Sequence, residues 1–132
     1  MSRRILLIED NEQNRYLVTF LLEARGWEVV HAPDGPSGVA LARETAPVLI
    51  LLDIQLPGMD GYAVAQALRA DPALDPIPVV AVTSYAMPGD RERCLASGCD
   101  GYLEKPIDPQ AFAAQVEAFL PPGAARPEGA VP

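Results

Sequence analysis

The sequence has few of the residues that build disulfides, transition-metal clusters or membrane spans. Its 132 residues include two cysteines and one histidine. Cys94 and Cys99 form neither a C-x-x-C pair nor a metal-ligand cluster, so we interpret them as small buried hydrophobic residues in a reducing compartment. No apolar stretch approaches the roughly 20 residues of a transmembrane helix, and the N-terminus lacks the apolar core of a secretory signal. We therefore expect a cytoplasmic protein without membrane insertion.

Basic side chains are also scarce, which narrows the class of partner. Ten Lys and Arg face eighteen Asp and Glu, for a net charge of −8. Nucleic-acid binding depends on clustered cations, so we expect no direct contact with nucleic acid. Nine of the ten basic residues are arginine, and Lys105 is the only lysine. The length and a hydrophobic content of 49% predict one folded domain.

Five short apolar runs predict β-strands. They are continuous rather than alternating, which is typical of parallel strands buried on both faces. The runs are Ile5 to Ile8, Val29 to Val30 with its flanks, Val48 to Leu52, Val79 to Val82 and, more weakly, Gly101 to Glu104. Because helix signals follow each run, the pattern predicts a (βα)₅ α/β domain, a doubly wound sheet of five parallel strands covered by helices on both faces.

Capping residues predict where the helices begin. An asparagine or aspartate at the N-cap opens four of the five helices. These residues are Asn11, Asp34, Asp60 and Asp108. The first helix should bury a stripe of Leu17, Leu21 and Ala24, and Gly26 should end it.

Three carboxylates, one hydroxyl and one ammonium group follow the predicted strands, where open α/β sheets bind their ligands. They are, in chain order, Glu9, Asp10, Asp53, Thr83 and Lys105. Three neighbouring carboxylates repel one another unless a proton or a cation intervenes. Oxygen ligands without cysteine or histidine favour Mg²⁺ over Zn²⁺. An aspartate beside Mg²⁺ and an ammonium group is suited to attack phosphorus and form an aspartyl phosphate.

Four motifs resemble those of the receiver domain of bacterial two-component response regulators. They are IEDN at residues 8–11, LLDIQLPGMDG at 51–61, AVTS at 81–84 and GYLEKP at 101–106. The resemblance covers residues 4 to about 120 and is greatest to single-domain, DivK-type regulators. It implies a flavodoxin-like and CheY-like sheet with strand order 2-1-3-4-5.

The resemblance implies a signalling phosphoacceptor that catalyses only its own phosphorylation and dephosphorylation. Asp53 would receive a phosphoryl group, in a Mg²⁺-dependent reaction, from a phosphohistidine on a sensor histidine kinase or a histidine phosphotransfer protein. Glu9, Asp10, Asp53 and the backbone carbonyl of Gln55 would bind Mg²⁺. Lys105 would contact a phosphoryl oxygen.

The resemblance also implies a switch. Thr83 would donate its hydroxyl to the phosphoryl group, and the ring of Tyr102 would turn inward with it. The peptide bond between Lys105 and Pro106 is commonly cis in the family. A downstream protein target would bind the surface from Arg91 to Phe119.

Three alternative functions remain open on the residues alone. A flavodoxin-like electron carrier would need a loop rich in Ser, Thr and Gly for the flavin phosphate, whereas this chain has Glu9-Asp10-Asn11-Glu12 there. A haloacid-dehalogenase-type phosphatase would need a second aspartate where Gln55 stands. A receiver-like domain that is never phosphorylated would normally lack an acidic residue or the lysine of the site, and none is missing here.

Two features lie apart from these motifs. From Pro121 the chain is rich in proline, glycine and alanine, so we assign residues 1–120 to the receiver-like domain and 121–132 to a disordered tail or linker. His31, near the end of the second strand, has no catalytic partner in the sequence, and we interpret it as a surface residue.

Overall fold

The structure, a computed structural model, describes residues 3–56, 60–83 and 88–120. Residues 57–59, Ser84 and the predicted tail therefore lie outside the described part of the chain. Strands and helices alternate in the order β1 (Arg4–Ile8), α1 (Glu12–Glu23), β2 (Glu28–Ala32), α2 (Gly35–Thr45), β3 (Leu49–Asp53), α3 (Gly61–Ala70), β4 (Val79–Thr83), α4 (Asp90–Ala96), β5 (Gly101–Glu104) and α5 (Phe112–Glu117). The strands pair in parallel in the order β2-β1-β3-β4-β5, so the predicted fold class is confirmed.

Both faces of the sheet are covered by apolar side chains. Successive residues of a strand point to opposite faces, and β1 accordingly sends Leu6 and Ile8 into one buried cluster and Ile5 and Leu7 into the other. All five residues of β3 are buried. Two-sided burial is the reason that the strands read as continuous apolar runs. Within the described residues, we find no helix whose length and apolar character would let it cross a bilayer.

Three of the predicted N-caps are confirmed, and the first helix shows one difference. The side chains of Asn11, Asp34 and Asp60 accept hydrogen bonds from backbone N–H groups three residues further on. In α1, however, Val18 and Leu22 are the fully buried residues, so the predicted stripe was one residue out of register. Neighbouring positions on a helix are 100° apart, and adjacent apolar residues offer two similar faces.

The last helix begins later than predicted. Asp108 starts a turn in which its carbonyl accepts the N–H groups of Ala111 and Phe112, and α5 itself starts at Phe112. A buried carboxylate then attaches α5 to the connection between α1 and β2. Glu117 accepts hydrogen bonds from the guanidinium of Arg25 and, at 2.9 Å, from the indole N–H of Trp27. This contact holds the C-terminal end of the domain against the α1–β2 connection.

Candidate functional site

The polar residues predicted from the strand ends lie at one edge of the sheet. Asp53 is the last residue of β3 and Thr83 the last of β4, while Glu9 directly follows β1 and Lys105 directly follows β5. Parallel strands all end at the same edge, so the topology brings these side chains together. The backbone N–H of Lys105 donates to the carbonyl of Thr83 at 2.7 Å, which fixes the end of β5 beside that of β4.

Three carboxylates form the centre of the site. Oxygen atoms of Glu9, Asp10 and Asp53 all lie within 4.8 Å of one another. Glu9 is 2% exposed and Asp53 5% exposed, whereas Asp10 is open to solvent. We call these three residues the acidic cluster. The acidic cluster therefore combines two buried carboxylates with one that is open to solvent.

Lys105 neutralises part of this charge from inside the protein. Its Nζ lies 2.9 Å from Oε1 of Glu9 and 3.8 Å from Oδ1 of Asp53, and its side chain is largely buried. The ammonium group is therefore bonded to Glu9 and only close to Asp53. The peptide bond from Lys105 to Pro106 is cis, as the resemblance implied.

Asp53 is electrostatically the most perturbed residue of the acidic cluster. The pKa of its carboxyl group is raised from 3.8 to about 7, chiefly by burial and then by the neighbouring Glu9, while the Gln55 N–H and Lys105 act in the opposite direction. The Gln55 N–H donates to Oδ1 of Asp53 at 3.1 Å. A hard cation with oxygen ligands would offset this carboxylate repulsion, so the donor set fits Mg²⁺.

The raised pKa predicts that Asp53→Asn stabilises the Mg²⁺-free protein. The folded state binds the Asp53 proton more tightly than the unfolded state, so this group costs stability as pH rises from 3.8 through about 7. At about pH 8 the asparagine should raise the free energy of unfolding by about 1–3 kcal/mol. Urea melts would measure the change. The exposed Asp75→Asn serves as control and should change stability by less than about 0.5 kcal/mol; equal effects of the two would contradict the prediction.

Thr83 and Tyr102 lie on adjacent strands. Thr83 is buried and pairs in register with Glu104, two residues after Tyr102. Tyr102 is partly buried against the core cluster that also contains Cys94. Burial and then nearby acidic groups, with Asp90 first, raise the pKa of its phenol. The structure thus places Tyr102 on β5, separated by β4 from Asp53 at the end of β3, and packs it against the core.

The structure places His31 beside the acidic cluster, where its imidazole makes contacts that the sequence did not indicate. His31 is partly buried, and its Nε2 lies 2.9 Å from Nη1 of Arg15 and 3.1 Å from the carbonyl oxygen of Glu9. Burial is the main cause that lowers the pKa of the imidazole. Sequence reasoning missed this contact because α1 and β2 meet only in the folded chain. One usable signal was the position of His31 one residue before the end of β2, at the edge that carries the site.

Comparisons with known proteins point to one family. Residues 5–117 match the response regulator receiver domain. The chain is 42% identical over 120 residues to the polar-differentiation response regulator DivK of Brucella ovis, covering 91% of this chain and 98% of that protein. Two solved structures are similar. One is chemotaxis protein CheY4 of Vibrio cholerae, with a TM-score of 0.85 and 26% identity over 91% of this chain and 100% of that chain. The other is the receiver domain of sensor histidine kinase PA1611 of Pseudomonas aeruginosa, with magnesium in its active-site cleft. Its TM-score is 0.81, with 33% identity over 90% of this chain and 98% of that chain.

Proposed function

The chain belongs to the response regulator receiver domain family and has a phosphoacceptor signalling role, and on this premise we propose that Asp53 is the residue that is phosphorylated. The observation that carries the proposal is the placement of Asp53, a buried carboxylate within an acidic cluster and 3.8 Å from a lysine ammonium group. The donor is a phosphohistidine on a sensor histidine kinase or a histidine phosphotransfer protein. The chain catalyses its own phosphorylation and dephosphorylation and acts on no further substrate.

Mg²⁺ is the proposed cofactor. Glu9, Asp10 and Asp53 would hold it, together with the backbone carbonyl of Gln55, and the magnesium in the related PA1611 receiver domain supports this assignment. When bound, Mg²⁺ supplies positive charge opposite the oxygens of the transferring phosphoryl group. Among the residues that the structure describes, the group of side chains that could hold an ion here consists of carboxylates alone, which agrees with a hard cation.

The residues of the chain would do three things in the transfer. An oxygen lone pair of Asp53 forms the new O–P bond as the P–N bond of the phosphohistidine breaks, and the bonding pair stays on the imidazole nitrogen of the donor. The Gln55 N–H donates a hydrogen bond to Oδ1 of Asp53 and so orients the carboxylate. Lys105 places its charge against a phosphoryl oxygen, which is the main form of stabilisation in such reactions.

The output would pass through Thr83 and Tyr102. A hydroxyl that binds the phosphoryl group only after transfer creates a contact that differs between the two states, and such a difference is what shifts a conformational equilibrium. We place the target-binding surface between Arg91 and Phe119, where Leu95 is 44% exposed on α4. The domain would comprise residues 1–120, and the protein would act in the cytoplasm, where Cys94 and Cys99 stay reduced.

Phosphorylation with acetyl phosphate tests the assignment. With Mg²⁺ present, intact-protein mass spectrometry should show one added phosphoryl group that mild base removes, and chelator should prevent its addition. Asp53→Asn should abolish the addition, because no oxygen nucleophile remains at that position. Asp60→Asn is the matched control, since Asp60 caps α3 near the same edge. This variant should be phosphorylated at Asp53 like the wild type. Unchanged labelling of Asp53→Asn would disprove the proposal.

A further inference from the structure

A single nitrogen of the His31 ring faces two groups that it cannot bond at once. Arg15 Nη1 and the Glu9 carbonyl oxygen both approach Nε2, at 2.9 Å and 3.1 Å. A guanidinium only donates hydrogen bonds, and a carbonyl oxygen only accepts them. An unprotonated Nε2 accepts from Arg15, whereas a protonated Nε2 donates to Glu9. The tautomer of the ring therefore decides which of the two bonds exists.

The carbonyl in question belongs to the peptide between two members of the acidic cluster. It links Glu9 to Asp10, so the orientation of this peptide affects where both carboxylates point. The N–H of Glu9 is already held by the carbonyl of Ala32 at 3.0 Å. A bond from His31 would hold the remaining polar backbone group of Glu9. Contacts of this kind, one step beyond the ligands, orient the ligands and thereby change metal affinity.

We propose that His31 is a positioning residue for the acidic cluster and that Arg15 sets the tautomer of His31. While Arg15 donates to Nε2, the neutral ring carries its proton on Nδ1 and gives no hydrogen bond to Glu9. When Arg15 is drawn away, solvent takes the proton from Nδ1 and returns one to Nε2, so the ring stays neutral and bonds the Glu9 carbonyl. The effect on Mg²⁺ rests on the proposed function, whereas the tautomer does not.

Arg15 can be reached from outside the protein. It lines an open groove of about 380 Å³ between α1 and β2, together with Glu12, Tyr16, Thr19, Val29 and His31. A carboxylate that enters this groove would compete with His31 for the guanidinium. A partner bound at the α1 surface would thus free His31 to hold the peptide between Glu9 and Asp10. No helix or strand has to move for this.

The tautomer can be observed directly because His31 is the only histidine in the chain. Proton–nitrogen correlation spectra of ¹⁵N-labelled protein, without Mg²⁺ or phosphodonor, should show the proton on Nδ1 in the wild type. In Arg15→Gln it should move to Nε2. Arg43→Gln, which removes an arginine paired with Asp71 elsewhere on the surface, should keep the wild-type spectrum. A proton on Nε2 in the wild type, or no change in Arg15→Gln, would overturn the inference.

Mg²⁺ titrations then measure the coupling. Removing the positive charge of Arg15 should by itself tighten Mg²⁺ binding, whether or not His31 is present. The effect of Arg15→Gln is therefore measured twice, once in the wild-type protein and once in the His31→Leu variant. We expect the tightening to be about three- to tenfold larger when His31 is present, which is the effect of one ordinary hydrogen bond. Equal factors in both backgrounds would refute the positioning role. A wild type that bound no Mg²⁺ would instead refute the proposed function, with the tautomer result unaffected.

Discussion

Replacing Lys105 with methionine is expected to slow phosphorylation of Asp53 by about 100-fold or more, because the charge that faces the transferring oxygens is lost. The same change should destabilise the Mg²⁺-free protein. Glu9 is buried and bonded to Lys105 at 2.9 Å, so removing the ammonium group leaves a buried carboxylate without its partner, at a cost of about 3 kcal/mol. Saturating Mg²⁺ should restore part of this stability, since it supplies a cation to the same carboxylates. Rates of acetyl phosphate labelling and urea melts with and without Mg²⁺ measure both effects.

Lys105→Arg separates charge from shape. Arginine keeps the charge and should keep most of the stability, but its planar fork does not place a point charge as lysine does. We expect Lys105→Arg to be phosphorylated slowly and to show little movement around Thr83 and Tyr102 in amide spectra with beryllofluoride, a phosphoryl mimic. Wild-type-sized spectral changes in the arginine variant would mean that charge alone is sufficient at this position. Unchanged labelling of the methionine variant would refute the role of Lys105 altogether.

Arg69→Met is expected to cause the largest loss of stability among substitutions remote from the site. Arg69, on α3, donates to the carbonyls of Gly98 (2.7 Å), Asp75 (2.7 Å), Ile77 (2.8 Å) and Leu74 (3.3 Å), and to the carboxylate of Asp100 (2.7 Å). Several of these groups are partly buried and would lose their donor together. We expect a decrease of about 3 kcal/mol in the free energy of unfolding, or about 10 °C in Tm.

The contacts of Arg69 lie at the edge of the sheet opposite the acidic cluster. Phosphorylation of the folded Arg69→Met protein should therefore proceed at nearly the wild-type rate. Arg43→Met is the matched control, because Arg43 pairs with Asp71 while 59% exposed, and it should cost less than about 0.5 kcal/mol. Indistinguishable melts of the two variants would show that the hydrogen bonds of Arg69 contribute little.

The side chain of Arg69 packs closely against Gly98, in the turn after α4. The φ of Gly98 is +112°, and a Cβ atom added there would lie 2.3 Å from Cγ of Arg69. The turn after α4 therefore needs glycine for two reasons, the left-handed backbone and the stem of the arginine. A glycine directly after a helix commonly adopts this left-handed backbone. The second reason became visible only in the folded chain.

The sequence by itself determined the order of the strands and helices and the polar side chains that follow the strands. Apolar runs of four or five residues with no alternation specify strands buried on both faces, and their alternation with helices specifies a parallel sheet. Parallel strands end at a common edge, so Asp53 had to lie near Glu9 and Asp10 once β1 and β3 were neighbours. This information is local, because each strand and each cap is specified by residues within one short segment.

The tertiary structure alone decided the contacts between distant segments. The first partner of Lys105 is Glu9 rather than Asp53, and His31 meets Arg15 across α1 and β2. Arg69 joins two connections, the one between α3 and β4 and the one between α4 and β5. The tertiary structure also decided which residues of α1 are buried, because this depends on which face of the helix packs against the sheet. A hydrogen bond needs two atoms within about 3 Å, and such distances between remote residues depend on the packing of every element between them, which no local pattern records.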